Sequence, residues 1–403
     1  MLLLTPAFTR AMTIEEAVAT AILNHPSMAA AASEAKAAHV DVDVAKAGYL
    51  PSLSASGGPR DVTPDEWAYE VTAAQMIYDW GQTRSKVRGA RATERQRQEE
   101  WLIARDEAAL DVIETYLDVL LYRRQCEVDQ TQIGTLEDLD RMTRLRTDSG
   151  YADRSEPDRT ALELARARQR LASDQGMVLD SVAQFDTLVG APAEALVEPA
   201  PAPMLGQIDK TNFETLIEAA PLYRKAVEAT NHARAQYDEA RSSILPRVNV
   251  EATALSREIG GRMQSDGILA LRLRVNPMQG LSAFDRTEGA RQRIAAAQWN
   301  EAAARRDIER KLRNLTTNGA ALVEQARALE RQVVDAAQLS QVYREQFEVG
   351  RRDIVDLVTI QREHFDARRS LNDVRLQLIR IQYRLAAQLG CLADLVELPT
   401  EME

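Results

Sequence analysis

Four histidines and two cysteines are the side chains of this chain best suited to nucleophilic or metal chemistry, and their spacing supports neither. His25, His39, His232 and His364 form no HExxH or comparable ligand pair, and Cys126 and Cys391 stand far apart with no CxxC. Both cysteines fall in helical patterns and read as small buried apolar residues, which leaves a disulfide open. No GxxxxGK[ST] loop is present to cradle a nucleotide phosphate. With no clustered nucleophile, base and acid, the chain reads as a non-enzyme that needs no cofactor or metal.

The residues with a chemical pattern are charges set in period-two alternation. Val248, Val250, Ala252 and Ala254 alternate with Arg247, Asn249, Glu251 and Thr253. Leu269, Leu271, Leu273 and Val275 alternate with Arg272, Arg274 and Asn276, and Leu53 and Ala55 with Ser52, Ser54 and Ser56. Trp67, Tyr69, Val71, Ala73 and Ile77 share one face of 67–77, with Glu70, Thr72 and Ala74 on the other. Apolar outside and charged inside is the pattern of strands that cross a membrane in a barrel. On that reading Glu70, Arg247, Glu251, Arg272 and Arg274 face the lumen. Trp67, Tyr69, Tyr78 and Trp80 suit an interfacial belt in contact with outer-membrane lipid. Four strands cannot close a barrel, and lipid does not tolerate open edges, so several copies must pool their strands. Twelve strands from a homotrimer is a sensible size.

The elements that would carry these strands are helical and duplicated. His25-Pro26 is matched by Ala220-Pro221 and Leu50-Pro51 by Leu245-Pro246, each 195 residues on. Gly89, Gly150 and Gly190 return as Gly289, Gly350 and Gly390, each 200 residues on. The register slips by five residues once, between Pro51 and Gly89, which predicts two hairpins of different length. The boundaries expected are a leader-like or disordered segment 1–12, a first repeat 13–190 with a hairpin at 50–80, and a Pro-rich linker 191–211. A second repeat follows at 212–395 with a hairpin at 245–280, then an acidic tail 396–403. Met1–Phe8 resembles the end of a signal-peptide apolar region. Each repeat holds one proline-free helix of about 100 Å, at about 1.5 Å per residue, ending before Gly150 or Gly350. Ile308, Leu315, Leu322 and Leu329 with Leu312, Gly319, Ala326 and Val333 form a heptad seam, and Leu371, Val374, Leu378, Ile381 and Leu385 step 3, 4, 3, 4. A soluble structural coiled coil would show the same seams, so the strands decide between the readings.

Composition agrees with long helices: aromatic content is 5%, and 50 basic residues face 61 acidic ones. A net charge of −11 argues against nucleic acid as a partner. The basic run Arg84–Arg97 reads as a solvated helix face.

The tandem repeat, the two Leu-Pro pairs, Tyr78-Asp79-Trp80-Gly81 and Gln346-Phe347-Glu348-Val349-Gly350 together resemble the TolC family of outer-membrane factors over nearly all of 13–395. The resemblance implies a mainly α fold with a membrane β part: a trimer whose twelve strands cross the outer membrane and whose helices form a coiled-coil periplasmic tunnel. It implies a passive exit channel of a tripartite export machine, fed by a periplasmic membrane-fusion adaptor and an inner-membrane ABC or resistance-nodulation-division pump. It places adaptor docking at the tips, Gly150, Tyr151, Gly350 and Arg351. The matching gate positions are Ser155, Glu156, Phe347, Arg352 and Asp356, with Arg352 expected to pair with Glu156 or Asp356. Asp356 would otherwise serve as a helix cap. The chain departs from the pattern at Thr359, where relatives carry an acid, and at Phe347, where a tyrosine is usual. Tyr151–Arg159 looks more like members serving type I protein secretion than like those of multidrug or small-molecule efflux pumps.

Overall fold

The structure, a computed structural model, describes residues 11–59, 67–151, 153–200, 213–259, 262–275 and 282–396. The expected leader up to 10, the linker from 201 and the tail beyond 396 lie outside the described residues. Thr13 opens α1 (Ile14–Asn24) with the expected capping box: the Glu16 N–H donates to Thr13 Oγ1 at 3.3 Å and the Thr13 N–H to Glu16 Oε2 at 3.1 Å. Then come α2 (Pro26–Ala47), β1 (Ser52–Pro59), β2 (Trp67–Tyr78), α3 (Gln82–Asp148) and α4 (Ser155–Val189). The second copy repeats the order: α5 (Phe213–Ala219), α6 (Pro221–Ser242), β3 (Arg247–Ile259), β4 (Arg262–Arg274), α7 (Ser282–Glu348), α8 (Ile354–Leu389) and the short α9 (Leu392–Leu395). Both long helices, α3 and α7, run 67 residues without interruption.

The hairpins do not differ in length as expected. β3 starts 195 residues after β1 and β4 ends 196 after β2, whereas α7 starts 200 after α3. Nearly all of the slip therefore falls between the last strand and the long helix of each copy.

The described residues form two compact units. One comprises Met1–Met28, Ala104–Ile217 and Ile308–Glu403, and the other Ala29–Ile103 and Glu218–Asp307. In the first, Leu322, Ala326, Leu329 and Val333 of α7 cluster with Leu378, Val374 and Leu371 of α8, which realises the heptad seam. Ion pairs fix α3 against α8. Arg369 meets Asp129; eleven residues on along α8, and eleven back along α3, Arg380 meets Asp118; four further, Arg384 meets Glu114. Equal steps in opposite senses define antiparallel helices, and steps of eleven and four return to the same helix face. Met12 was expected in the leader, yet it bridges to Leu196 of the linker. The buried Tyr116 hydroxyl donates its one proton to Val197 O at 2.6 Å, with Met12 O as a second acceptor at 2.9 Å. These carbonyls are docked because a buried phenol must find acceptors. Val396, expected to start the tail, is also buried.

In the second unit the four strands form one antiparallel sheet in chain order, β1-β2-β3-β4. Ala73 pairs with Leu53 and Ala252, and Ala252 with Leu269, so the apolar residues of all four strands share a face. A bulge lies between Met76 and Tyr78, which pair with the consecutive Asn249 and Val248. Ile77, expected on the apolar face, is the extra residue of that bulge. Its insertion turns Tyr78 onto the apolar face opposite Val248. The basic run of α3 is not merely solvated: Arg88 pairs with Asp238 and Arg95 with Glu228 on α6, at 2.7 and 2.8 Å.

Candidate functional site

At the α3–α4 and α7–α8 turns the two copies build the same device. The helix ends with a glycine in the left-handed region, Gly150 at φ 78° and Gly350 at φ 73°, where a Cβ costs about 1–2 kcal/mol. The Tyr151 N–H reaches back to Arg146 O at 2.9 Å, and the Arg351 N–H to Gln346 O at 2.8 Å. Tyr151, Arg351 and Val349 project from these turns and are exposed.

Behind the turns the gate positions separate. Arg352 pairs with Asp356 (Nη1–Oδ2 2.9 Å), donates through Nε to Gln346 Oε1 at 2.9 Å, and lies 3.8 Å over the Tyr343 ring. It does not pair with Glu156. That carboxylate faces Arg146 instead, at 3.6 Å. Arg146 also donates to Phe347 O at 2.7 Å and covers the Phe347 ring at 4.3 Å. Arg146 thereby joins the end of α7 to the start of α4, a link that the sequence reading missed. Its signal was a basic residue in the last turn of a helix, favoured there by the helix dipole. Burial and the nearby Asp353 and Asp153 carboxylates push the Glu156 carboxyl up, against the opposing pull of Arg146. Phe347 belongs to the core behind the turns. It is fully buried among Leu139, Ala336, Ile354, Leu357 and Val358. Nor is Asp356 the cap of α8: Asp353 is, accepting the Val355 N–H at 3.0 Å. Ser155, in the first turn of α4, is exposed.

Deeper in the same unit Arg369 Nη1 holds two carboxylates, Asp129 Oδ1 at 2.7 Å and Asp174 Oδ2 at 2.6 Å, drawn from α3 and α4. Asp129 is fully buried. Desolvation and the shared hydrogen bond with Asp174 push its carboxyl up to about 6, although the guanidinium opposes them.

On the sheet, the expected lumen residues share one face. Glu251 is 3% exposed and clamped by Arg272 at 3.0 Å and Arg274 at 2.5 Å. Arg247 donates to Gln82 Oε1 at 2.7 Å, and Glu70 accepts from Thr72 at 3.2 Å. Ile268, paired with Thr253, is an apolar residue on that charged face. The opposite face leaves Leu53, Leu269, Leu271 and Leu273 more than 60% exposed. The aromatic residues form two exposed pairs on β2 and its extension: Trp67–Tyr69, stacked at 6.4 Å, and Tyr78–Trp80, edge-on at 5.0 Å. The strand between them rises roughly 36 Å at about 3.3 Å per residue, or roughly 28 Å along the normal when tilted about 40°. That matches a hydrocarbon layer of about 30 Å. Trp80 takes φ 57°, held by its indole N–H on Pro246 O (2.9 Å) and by the Ser242 hydroxyl on its carbonyl (3.2 Å).

Cys126 and Cys391 are free and half-buried, and Cys391 lies between α8 and α9 rather than inside a helix. Among the described residues no cluster has the makings of a metal site, and no helix is long and apolar enough to cross a membrane.

The sequence profile of outer membrane efflux proteins matches residues 17–191 and 214–391. Among solved structures, the outer membrane protein VceC of Vibrio cholerae superposes with a TM-score of 0.82 at 15% identity, over 94% of this chain and 96% of that one. The outer-membrane channel OprN gives 0.83 at 16%, over 94% and 89%. The open state of the Neisseria gonorrhoeae MtrE outer membrane channel gives 0.79 at 16%, over 94% and 89%. No curated protein matches the chain at the level of sequence.

Proposed function

The chain belongs to the outer membrane efflux protein family and is a channel protein of the outer membrane; from that premise we propose that it acts as a passive trimeric exit duct. One observation carries the reading. A four-stranded sheet exposes an apolar face with aromatic pairs at both ends, carries charge on the other face, and leaves both edge strands open. An apolar sheet face of this extent needs lipid, and open edges in lipid need partner strands. Three copies supply the twelve strands of a closed barrel. Cargo enters from a periplasmic adaptor docked at Gly150, Tyr151, Gly350 and Arg351, driven by an inner-membrane ABC or resistance-nodulation-division pump. Arg146, which faces Glu156 and bonds Phe347 O, and Arg352, which bonds Gln346 across the turn, are the polar links that hold the tips at rest. The chain itself does no catalysis.

The tip sequence Tyr151–Arg159 supports protein cargo through type I secretion. The family's description as efflux proteins supports small-molecule export as the second reading. Planar-bilayer recording of the purified full chain tests the duct: steady single-channel steps are expected, and membrane-inserted protein that never conducts would refute it. Cargo class is read from a deletion strain, which either loses a secreted protein or gains sensitivity to small toxic solutes.

A further inference from the structure

The helix-proximal end of the sheet concentrates positive charge in a chain that is acidic overall. Arg247 pairs directly with Arg274, and Asn249 with Arg272. Like charges placed opposite one another on a sheet face cost stability. Their neutralisation is incomplete. Glu251 alone answers both Arg272 and Arg274, and Arg247 turns to the neutral amide oxygen of Gln82. Asp79, at the strand–helix junction, spends its oxygens on the Gly81 and Thr83 N–H groups at 3.0 and 2.6 Å. Even with Asp79 counted, three guanidiniums face two carboxylates. The other end of the charged face is better balanced, with Arg257 on Asp266 at 3.3 Å and Glu70 nearby on β2. Nor would a neighbouring copy supply the missing anion. The strand that closes a barrel against β4 is β1, Ser52–Pro59, which has no charged residue. Residues 276–281 carry none either.

We propose that Arg247, Arg272 and Arg274 form an anion-attracting ring at the inner end of the barrel, which makes the duct selective for anionic solutes over cationic ones of equal size. The inference rests on the reading of this face as a water-filled lumen. Rings of arginine select anions because the field of several fixed charges adds in a narrow, low-dielectric bore. Arg272 and Arg274 stay more than half exposed while they hold Glu251, so their remaining N–H groups reach the bore.

The test is local to the ring and independent of the tips. In a chain with Cys126→Ser and Cys391→Ser, Asn249→Cys places a thiol opposite Arg272. Full-length protein in outer-membrane vesicles is treated with anionic, cationic and neutral methanethiosulfonates, and each rate is normalised to that of a free thiol. The anionic reagent is expected to react about tenfold faster than the cationic one. The ratio should fall toward one with Arg272→Gln and Arg274→Gln, and persist with Arg272→Lys and Arg274→Lys. If the glutamine pair fails to assemble, salt serves in its place. Raising ionic strength from about 0.01 M to about 1 M shortens screening from about 30 Å to about 3 Å and should collapse the ratio. A ratio at or below one with the native arginines overturns the ring. A thiol deaf even to the neutral reagent overturns the lumen reading itself, and the ring with it.

Discussion

Replacing Asp129 by asparagine should stabilise this protein at neutral pH and leave it unchanged in acid. Asp129 sits fully buried on Arg369 beside Asp174, so two carboxylates share one guanidinium. Charge balances when the two acids hold one proton between them. Burial and the Asp174 partner raise the Asp129 carboxyl from 3.8 to about 6. Between about pH 4 and pH 6 the native chain therefore holds a proton that the unfolded chain has released. Native stability must fall as pH rises through that window, and the loss is complete above about pH 6. At about 1.4 kcal/mol per pKa unit, a shift of about two units amounts to at most about 3 kcal/mol. Asparagine has the shape of the protonated acid: its amide donates to Asp174 and its carbonyl accepts from Arg369. Thermal unfolding followed by circular dichroism in detergent, at pH 4.5 and pH 7.5, reads the difference between the two proteins. The variant should unfold at higher temperature at pH 7.5 and alongside the native chain at pH 4.5. A difference that is the same at both values would show that Asp129 does not titrate in this window. The groups that also face it are Asp174 on α4 and Arg369 on α8, with Cys126 nearby on its own helix. They remain in both proteins and cancel in the comparison.

Other outcomes follow from the tips and the core. Phe347→Ala should cost about 3–5 kcal/mol by opening a void beside Leu139, Ile354 and Leu357, measured as a lower unfolding temperature. Gly350→Ala should cost about 1–2 kcal/mol, because its φ of 73° is strained for any side chain, and circular dichroism should show the helices otherwise intact. Arg146→Gln removes the bond to Phe347 O and the charge facing Glu156, so single-channel conductance should rise. Unchanged conductance would take Arg146 out of the closure. Arg352→Gln breaks an exposed pair and should move stability by less than about 1 kcal/mol. A larger loss would mean that its stacking on Tyr343 matters more than its charge.

Much of the fold was legible because periodicity is one-dimensional. The spacing of Gly150, Gly190, Gly350 and Gly390 fixed every long helix end to within a residue or two, since each glycine takes a backbone conformation that other residues resist. The strands were legible from alternation, but the bulge at Ile77 was not, because a bulge leaves no composition signal in an apolar run. The tips were only partly legible. Arg352–Asp356 lies within one helical turn and could be guessed, whereas Arg146–Glu156 and Arg146–Phe347 depend on how separate helices meet. The burial of Phe347 was not legible for the same reason: where a lone aromatic beside a glycine turn points depends on packing. The docking of Met12 on Leu196 needed three dimensions altogether.

The central claim is that the edge strands of this sheet close on those of other copies in the outer membrane. Paired cysteines introduced on β1 and β4, at Ser54→Cys and Ile268→Cys in a chain without Cys126 and Cys391, test it by oxidation in intact cells. Outer-membrane fractions run without reductant should show bands of one, two and three chains and none larger. Bands that stop at one chain, or protein recovered only in the cytosol, would contradict the account.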